Sequence, residues 1–499
     1  MIKLPKLYKH QKECLKLAKP NQTYAYFMEQ GLGKTRVALE EFYYHYKHYG
    51  VSGLLIIAPN GVHLNWTKVE IPQVCPALFG NDYRALAYTS TGAKTKKWQQ
   101  EWDKLQADWE KPALLAVNVE ALSTGKRAWN YCYDFLIKRR CMMVCDESSR
   151  IKTPGARRTK RVITLGNHAV IKRIMTGTPV TQSPFDLYAQ FRFLDPRIIG
   201  ITSFYAFKHR YGIFQTEMVY DKAKGATRQY EQILKYVNLS ELVQKIAPYS
   251  YRRTKAECLD LPPKIRQRYL VELNPAQKRL YKEMEKEGRI ELPKEGLESL
   301  APIILVRLLR CQQITGGFLP TITTEGTILQ EKILQVAGPN PKLNALMELI
   351  DVDPEKSTVI WARFRAEIEL IVRALRAKYG YESITELHGG VTGKVRAENV
   401  AAFQDGAAKF MVGQQASGIG ITLTKAEQVI YFSNTFSYEQ RQQSEDRTHR
   451  IGTMHSVTYI DIEAADTIDE QIRQALLKST LLADTINQDQ KRMAKHGDF

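Results

Sequence analysis

Short apolar runs alternate along this chain with segments whose apolar residues return every third or fourth position. The runs predict buried strands, the spaced segments amphipathic helices, and their alternation predicts α/β architecture with parallel sheets. In the first part the predicted strands are Tyr24–Phe27, Leu54–Pro59, Leu114–Val117, Met142–Cys145 and Arg173–Met175. After Pro196 the pattern changes: SFYAFKHRYG and LSELVQKIAPYSYRRTK read as amphipathic helices joined by a polar, charged segment. A second strand series follows Leu261–Pro263, with candidates at Thr358–Trp361, Ile384–Leu387, Phe410–Val412, Val429–Phe432 and Val457–Ile460. The expected organisation is a first parallel-sheet lobe at residues 1–196, a helical insertion at 197–255, a second lobe at 256–480 and a charged tail at 481–499.

Open α/β sheets bind ligands at the C-terminal ends of their strands, and the residues there carry the candidate chemistry. FMEQGLGKTRVALEEF sets Gly31, Leu32, Gly33, Lys34 and Thr35 between a strand and a helix. A glycine bend that opens a helix offers backbone N–H groups and the positive end of the helix dipole to an anion. Lys34 adds a charge for terminal phosphates, and Thr35 a hydroxyl for a magnesium ion. The strict phosphate-loop pattern has glycine where Met28 stands. The strand in CMMVCDESS delivers Asp146 and Glu147; one acid can hold Mg²⁺ through water while its neighbour orients and deprotonates an attacking water. Thr176, Gly177, Thr178 and Pro179 end another strand. Arg447 and Arg450 stand three apart in a polar segment, and arginine, which keeps its charge, stabilises a transferring phosphoryl group.

Composition adds a partner class. Lys plus Arg outnumber Asp plus Glu by 72 to 53, a formal +19, which suggests a polyanion such as nucleic acid. The basic runs at 94–97, 157–161 and 252–255 could extend a phosphate track, although each alone reads as a solvated face. The seven cysteines are scattered without a C-x-x-C pair, which fits a reducing compartment and argues against a zinc or thiol enzyme. With neither a signal peptide nor an apolar run of about 18 residues, a soluble cytoplasmic protein is expected.

In this order the motifs resemble a superfamily-two helicase motor of the Swi/Snf branch, over roughly residues 5 to 475. LYKHQ resembles the adenine-reading segment, EQGLGKT motif I, and IIAPNGVHLNWTKVE, with Trp66 and Glu70, motif Ia. DESS takes the DEAH-box place, with Ser149 where the family has His or Gln, and TGTP resembles motif III. YRRTKAECLDLPPK is similar to a segment particular to this branch, and QQASGIGITLTKAEQVIYFS and QQSEDRTHRIG come after it in the family's order.

The resemblance implies two RecA-like lobes that close on ATP and Mg²⁺ and part on hydrolysis. It implies Glu147, Lys34, Arg447 and Arg450 as catalytic residues. Gln11, Gly31, Leu32, Gly33, Lys34, Thr35, Asp146 and Gly420 would bind nucleotide, with Thr35 and Asp146 at the metal. Pro59, Asn60, Thr176, Ser417 and Gly418 would meet DNA phosphates, independently of base sequence. The expected activity is a DNA-dependent ATPase that translocates on duplex DNA in a bacterial or phage-infected cell, moving branch points, regressing forks or remodelling protein–DNA complexes. A strand-separating helicase, or a low-turnover nucleotide-gated subunit of a restriction or defence complex, stays open as an alternative.

Overall fold

The computed structural model describes residues 4–221, 226–287, 289–292, 297–300, 304–325, 328–391, 393–418 and 420–480. The expected tail at 481–499 lies outside them. The chain divides into two compact units, one extending to Leu259 and the other spanning Asp260–Lys478.

The first unit is built on a parallel sheet. Its strands are β1 (Thr23–Met28), β2 (Gly53–Ala58), β3 (Arg84–Ala87), β4 (Ala113–Asn118), β5 (Cys141–Asp146) and β6 (Ile171–Met175). After the hairpin β7 (Gly212–Asp221) and β8 (Ala226–Tyr236) comes β9 (Ser250–Arg253), and the sheet order is β3-β4-β2-β5-β6-β1-β9. Alternate residues of each central strand enter opposite cores: Ala25, Phe27, Leu55 and Ile57 pack on one face, Tyr24, Tyr26, Leu54 and Ile56 on the other. Burial on both faces is why these strands read as unbroken apolar runs. Two helices matter for the site, α1 (Lys9–Ala18) and α2 (Lys34–Tyr49).

Two features add detail to the expected organisation. The polar segment between the helices Phe204–Tyr211 and Leu239–Ile246 pairs with itself as the antiparallel hairpin β7–β8. Beyond the second of those helices the chain returns as β9, which pairs with β1 (Tyr26 opposite Tyr251), so residues 197–259 complete the first unit.

A buried ion pair pins β1 to α2 and β6. Glu41 and Arg173 are fully buried; Arg173 donates from Nε at 3.0 Å and Nη2 at 2.6 Å, and Tyr26 donates its hydroxyl to the same carboxylate. Arg173 also donates to the carbonyls of Ala18, Asn21, Gln22 and Lys172. Burial alone would raise the Glu41 carboxyl, but the Arg173 charge and these hydrogen bonds hold it at about 2.

The second unit repeats the design. Its strands are β10 (Lys264–Val271), β11 (Arg289–Leu292), β12 (Leu297–Leu300), β13 (Phe318–Glu325), β14 (Ile328–Gln335), β15 (Thr358–Trp361), β16 (Ile384–Leu387), β17 (Phe410–Gly413), β18 (Gln428–Tyr431) and β19 (Val457–Ala464). A parallel sheet runs β10-β19-β18-β15-β17-β16, and β11–β14 form a separate antiparallel sheet. Its strands again divide their residues between two cores, Ile360 and Val412 on one face, Val359, Trp361 and Met411 on the other. No helix among the described residues is long and apolar enough to cross a membrane.

Candidate active site

At the end of β1 the chain bends through Gly31 (φ 85°) and Gly33 (φ 79°) into α2. A side chain at Gly33 would sit in the left-handed region and about 2.2 Å from Gln11 Nε2, so both backbone and space require glycine there. No side chain caps α2, which leaves its N-terminus facing the loop as an anion-binding end. Lys34, in the first turn, is buried; its Nζ donates to the carbonyls of Met28 at 2.8 Å and Glu29 at 3.3 Å. Met28 itself is turned wholly into the core, and only its carbonyl serves the loop. A glycine is therefore dispensable at that position.

Gln11, on α1, braces the bend. It donates to the Leu32 carbonyl at 3.2 Å and accepts the Tyr8 N–H at 3.0 Å, while His10 contacts the same Leu32 carbonyl at 3.0 Å. Leu32 contributes backbone only, its side chain being buried. Thr35 is half-buried beside Lys34.

The acidic pair arrives from β5. Asp146 accepts the Trp66 indole N–H on Oδ2 at 2.9 Å and the Glu147 N–H on Oδ1 at 3.0 Å. Burial pushes the Asp146 carboxyl above its ordinary value, opposed by the Trp66 hydrogen bond and the charge of Lys34. Glu147 takes a left-handed backbone (φ 49°), uncommon for a residue with a Cβ and a mark of functional strain. Its Oε1 accepts from Gln30 Nε2, inside the glycine bend, at 3.2 Å, and its Oε2 from Thr176 Oγ1 at 3.4 Å. At Gly177 a Cβ would lie 3.1 Å from the Gln30 nitrogen, so the end of β6 lies directly against the bend. Loop, acidic pair and TGTP turn thus form one bonded cluster. Lys34, Thr35 and Asp146 offer a charge, a hydroxyl and a carboxylate; magnesium, which keeps several waters and takes one or two carboxylates plus phosphate oxygens, fits that donor set.

The residues expected to meet DNA differ in exposure. Thr176 is fully buried with its hydroxyl on Glu147, and Pro59 is buried while Asn60 is exposed. Thr176 thereby connects the end of β6 to the acidic pair. Of the basic runs, the lysines of 94–97 are exposed, whereas Arg158 and Arg161 are engaged on the carbonyls of Arg150, Leu122 and Gly125.

In the second unit the helix Tyr438–Thr448 and the turn after it bring Arg447 and Arg450 to residues 421–423. Arg447 Nη1 reaches the Ile421 carbonyl at 3.5 Å, the Arg447 carbonyl accepts the Leu423 N–H at 2.9 Å, and Arg450 Nη1 donates to Thr422 Oγ1 at 2.9 Å. Gly420 has φ 81°, and Ser417 is half-buried. Gly418 is buried against the Trp361 ring, 3.0 Å from the position of a Cβ. The same helix is anchored by Arg441, bonded to Asp461, Glu445 and Asn434, and Glu445 is held at about 2, against burial, by Lys264, Arg441 and Arg266. Glu367 is the opposite case. Its Oε2 accepts from Ser433 Oγ at 2.5 Å and from the N–H groups of Arg363 and Phe364 at 3.1 Å, its Oε1 has no hydrogen-bond partner among the described residues, and burial lifts its carboxyl to about 7.

Three contacts escaped sequence reading: that of Trp66, noted only as part of the motif Ia segment, with Asp146, that of Gln30 with Glu147, and those of Gln190. Gln190 is fully buried; it accepts the Ser148 hydroxyl at 2.7 Å and donates to the Pro179 carbonyl at 2.8 Å, joining the DESS and TGTP segments. The available signal was a lone amide on the apolar helix DLYAQFRFL.

Two family models match the chain in succession. Residues 25–314 match the SNF2-related domain, and residues 341–452 the helicase conserved C-terminal domain. The chain is 24% identical over 467 residues to chromodomain-helicase-DNA-binding protein 1-like of Danio rerio, covering 92% of this chain and 41% of that protein. It is 26% identical over 470 residues to an uncharacterized ATP-dependent helicase of Mycoplasma pneumoniae, covering 91% and 40%. It therefore spans about two fifths of the length of these relatives. The Sulfolobus solfataricus SWI2/SNF2 ATPase core in complex with dsDNA aligns over 97% of this chain and 94% of its own, at 23% identity and a TM-score of 0.40. With more than half its length matched by one family model, and the C-terminal helicase domain coming next in order, the chain belongs to the SNF2-related family.

Proposed function

We propose that this chain is a DNA-dependent ATPase that translocates on double-stranded DNA. The observation that carries the reading is the bonded cluster of glycine bend, Asp146–Glu147 pair and TGTP turn, which joins an uncapped helix N-terminus suited to an anion to two carboxylates. Lys34 would leave the Met28 and Glu29 carbonyls for the terminal phosphates of ATP, and Glu147, oriented by Gln30 and Thr176, would take a proton from the attacking water. A bound Mg²⁺, held through Thr35 and Asp146, supplies charge neutralisation for the phosphates. Arg447 and Arg450 are assigned the charge that develops on the transferring phosphoryl group.

For the DNA, Asn60 offers an exposed amide, the Gly420 turn close backbone approach, and the net charge of +19 a general attraction that weakens with salt. We assign the translocase to branch migration, fork regression or removal of bound proteins, in repair or recombination in the cytoplasm of a bacterial or phage-infected cell. ATP turnover measured on single strands, duplex, fork and four-way junction tests the reading. Strong stimulation by duplex or branched DNA is expected, abolished by Lys34→Ala and Glu147→Gln. Turnover indifferent to DNA would refute it, and ATP-dependent opening of a plain partial duplex would favour a strand-separating helicase.

A further inference from the structure

We infer that Trp66 is a positioning residue for the Asp146 carboxylate, joined through its backbone to the exposed turn at Asn60. This rests on the nucleotide–metal reading of the first unit.

Each Asp146 oxygen has one fixed donor, the Trp66 indole on Oδ2 and the Glu147 N–H on Oδ1. Two donors on opposite oxygens set both the rotamer and the plane of a carboxylate, and a carboxylate that holds a metal depends on such outer partners for its aim. The Glu147 donor is backbone next door and could follow any movement of Asp146. The indole cannot, because it is buried within the core on the α2 side of the sheet.

The local fold shows how the indole is brought there. The helix Val62–Asn65 passes into a π-helical turn, Trp66–Glu70, closed by the Ile71 N–H on the Trp66 carbonyl. A π-turn inserts one residue into helical phase, and such turns concentrate at functional sites. On the other side Trp66 donates its N–H to the Val62 carbonyl, Asn65 to Gly61 at 3.1 Å, and His63 to Pro59 at 3.2 Å. The Asn60 N–H is seated on Glu120 Oε2 at 3.0 Å, and His63 Nε2 lies 3.1 Å from the Tyr88 carbonyl. Asn60 and the indole are therefore ends of one short hydrogen-bonded rod. A core tryptophan whose N–H merely needed a partner would satisfy itself equally on a carbonyl; here the acceptor is the candidate metal carboxylate.

The test uses the full chain and fluorescent MANT-ATP, titrated by anisotropy with Mg²⁺ and with EDTA, alongside Mn²⁺ binding by electron paramagnetic resonance in the presence of nucleotide. Trp66→Phe keeps an aromatic ring at the position and loses the indole N–H donor. Its metal-free nucleotide affinity should match wild type, while the gain from Mg²⁺ and the Mn²⁺ affinity fall by about 10- to 100-fold, the usual loss for an outer partner of a metal ligand. A second variant leaves the indole intact: Gly61→Ala has open space around the new Cβ but a strained φ of 84°, so it disturbs the rod alone. It should lower the same metal-dependent gain by a smaller factor. Equal weakening with and without metal in Trp66→Phe would mark Trp66 as core packing and overturn the inference, as would an unchanged gain in both variants. Wild type that binds MANT-ATP identically with Mg²⁺ and EDTA would instead bring down the nucleotide–metal reading, and this inference with it.

Discussion

Replacing Arg173 by Met should destabilise the first unit by about 3–5 kcal/mol, because a fully buried carboxylate loses its partner. The structure permits an independent figure. Glu41 is held at about 2 against an ordinary 4.5, so its ionised form gains about 3 kcal/mol from folding. Since the folded value is the lower one, that contribution is complete above the unfolded value and is lost as pH falls through 2. The penalty of Arg173→Met should therefore shrink on acidification from about pH 4.5. Guanidinium unfolding followed by tryptophan fluorescence is the assay: Trp66, Trp98, Trp102, Trp109 and Trp129 lie in the first unit and Trp361 in the second. Adding Glu41→Leu should recover roughly half the loss, leaving the cost of the four carbonyls and the Tyr26 hydroxyl that Arg173 and Glu41 served. A loss under about 1 kcal/mol, or a double variant no better than the single one, would refute the view that this pair bears on the phosphate loop's supporting strand.

Gly33→Ala should sharply weaken MANT-ATP binding and cost about 1 kcal/mol or more in folding, from the left-handed backbone and the clash with Gln11, read by titration and denaturant melts. Arg447→Ala should lower ATP turnover by about 10³-fold or more while first-unit nucleotide binding persists; retained turnover would remove the arginine from the chemistry. Glu367 binds its proton more tightly folded than unfolded, so it lowers second-unit stability progressively as pH rises from 4.5 to about 7. Glu367→Gln should flatten that decline, as seen in thermal melts at pH 5 and pH 8.

Every central strand of both sheets was legible because burial on two faces leaves nothing but apolar residues in Leu54–Ala58 or Val359–Trp361. In these two parallel sheets the strands that were not legible, β3, β9 and β10, lie at the edges; the separate sheet β11–β14 was not predicted either. β3 and β10 are largely solvent-facing, and β10 spends Arg266 on Glu445 of the helix Tyr438–Thr448 and Arg268 on Glu463 of the neighbouring strand β19, a pattern that reads as a charged loop. The hairpin β7–β8 was hidden for the same reason, being paired only with itself. Lys34, Asp146 and Glu147 could be placed from sequence because a buried strand delivers the residues just past its C-terminal end to one edge of the sheet. Thr176 could not: whether a hydroxyl faces a ligand or a neighbouring carboxylate depends on a contact with Glu147, 29 positions away. The acceptors of Trp66 and Gln190 were hidden as well, since an indole or an amide declares nothing in the sequence about its partner.

β9 has a consequence for how the protein is made. β1, which leads into the glycine bend, lacks its outer neighbour until residues 250–253 have left the ribosome, and the hairpin emerges before them. During synthesis one edge of β1 therefore stays open for pairing with a foreign strand, and a nascent chain halted at residue 196 would present that edge permanently. Chaperone engagement should concentrate in this interval and fall away once Arg253 has docked.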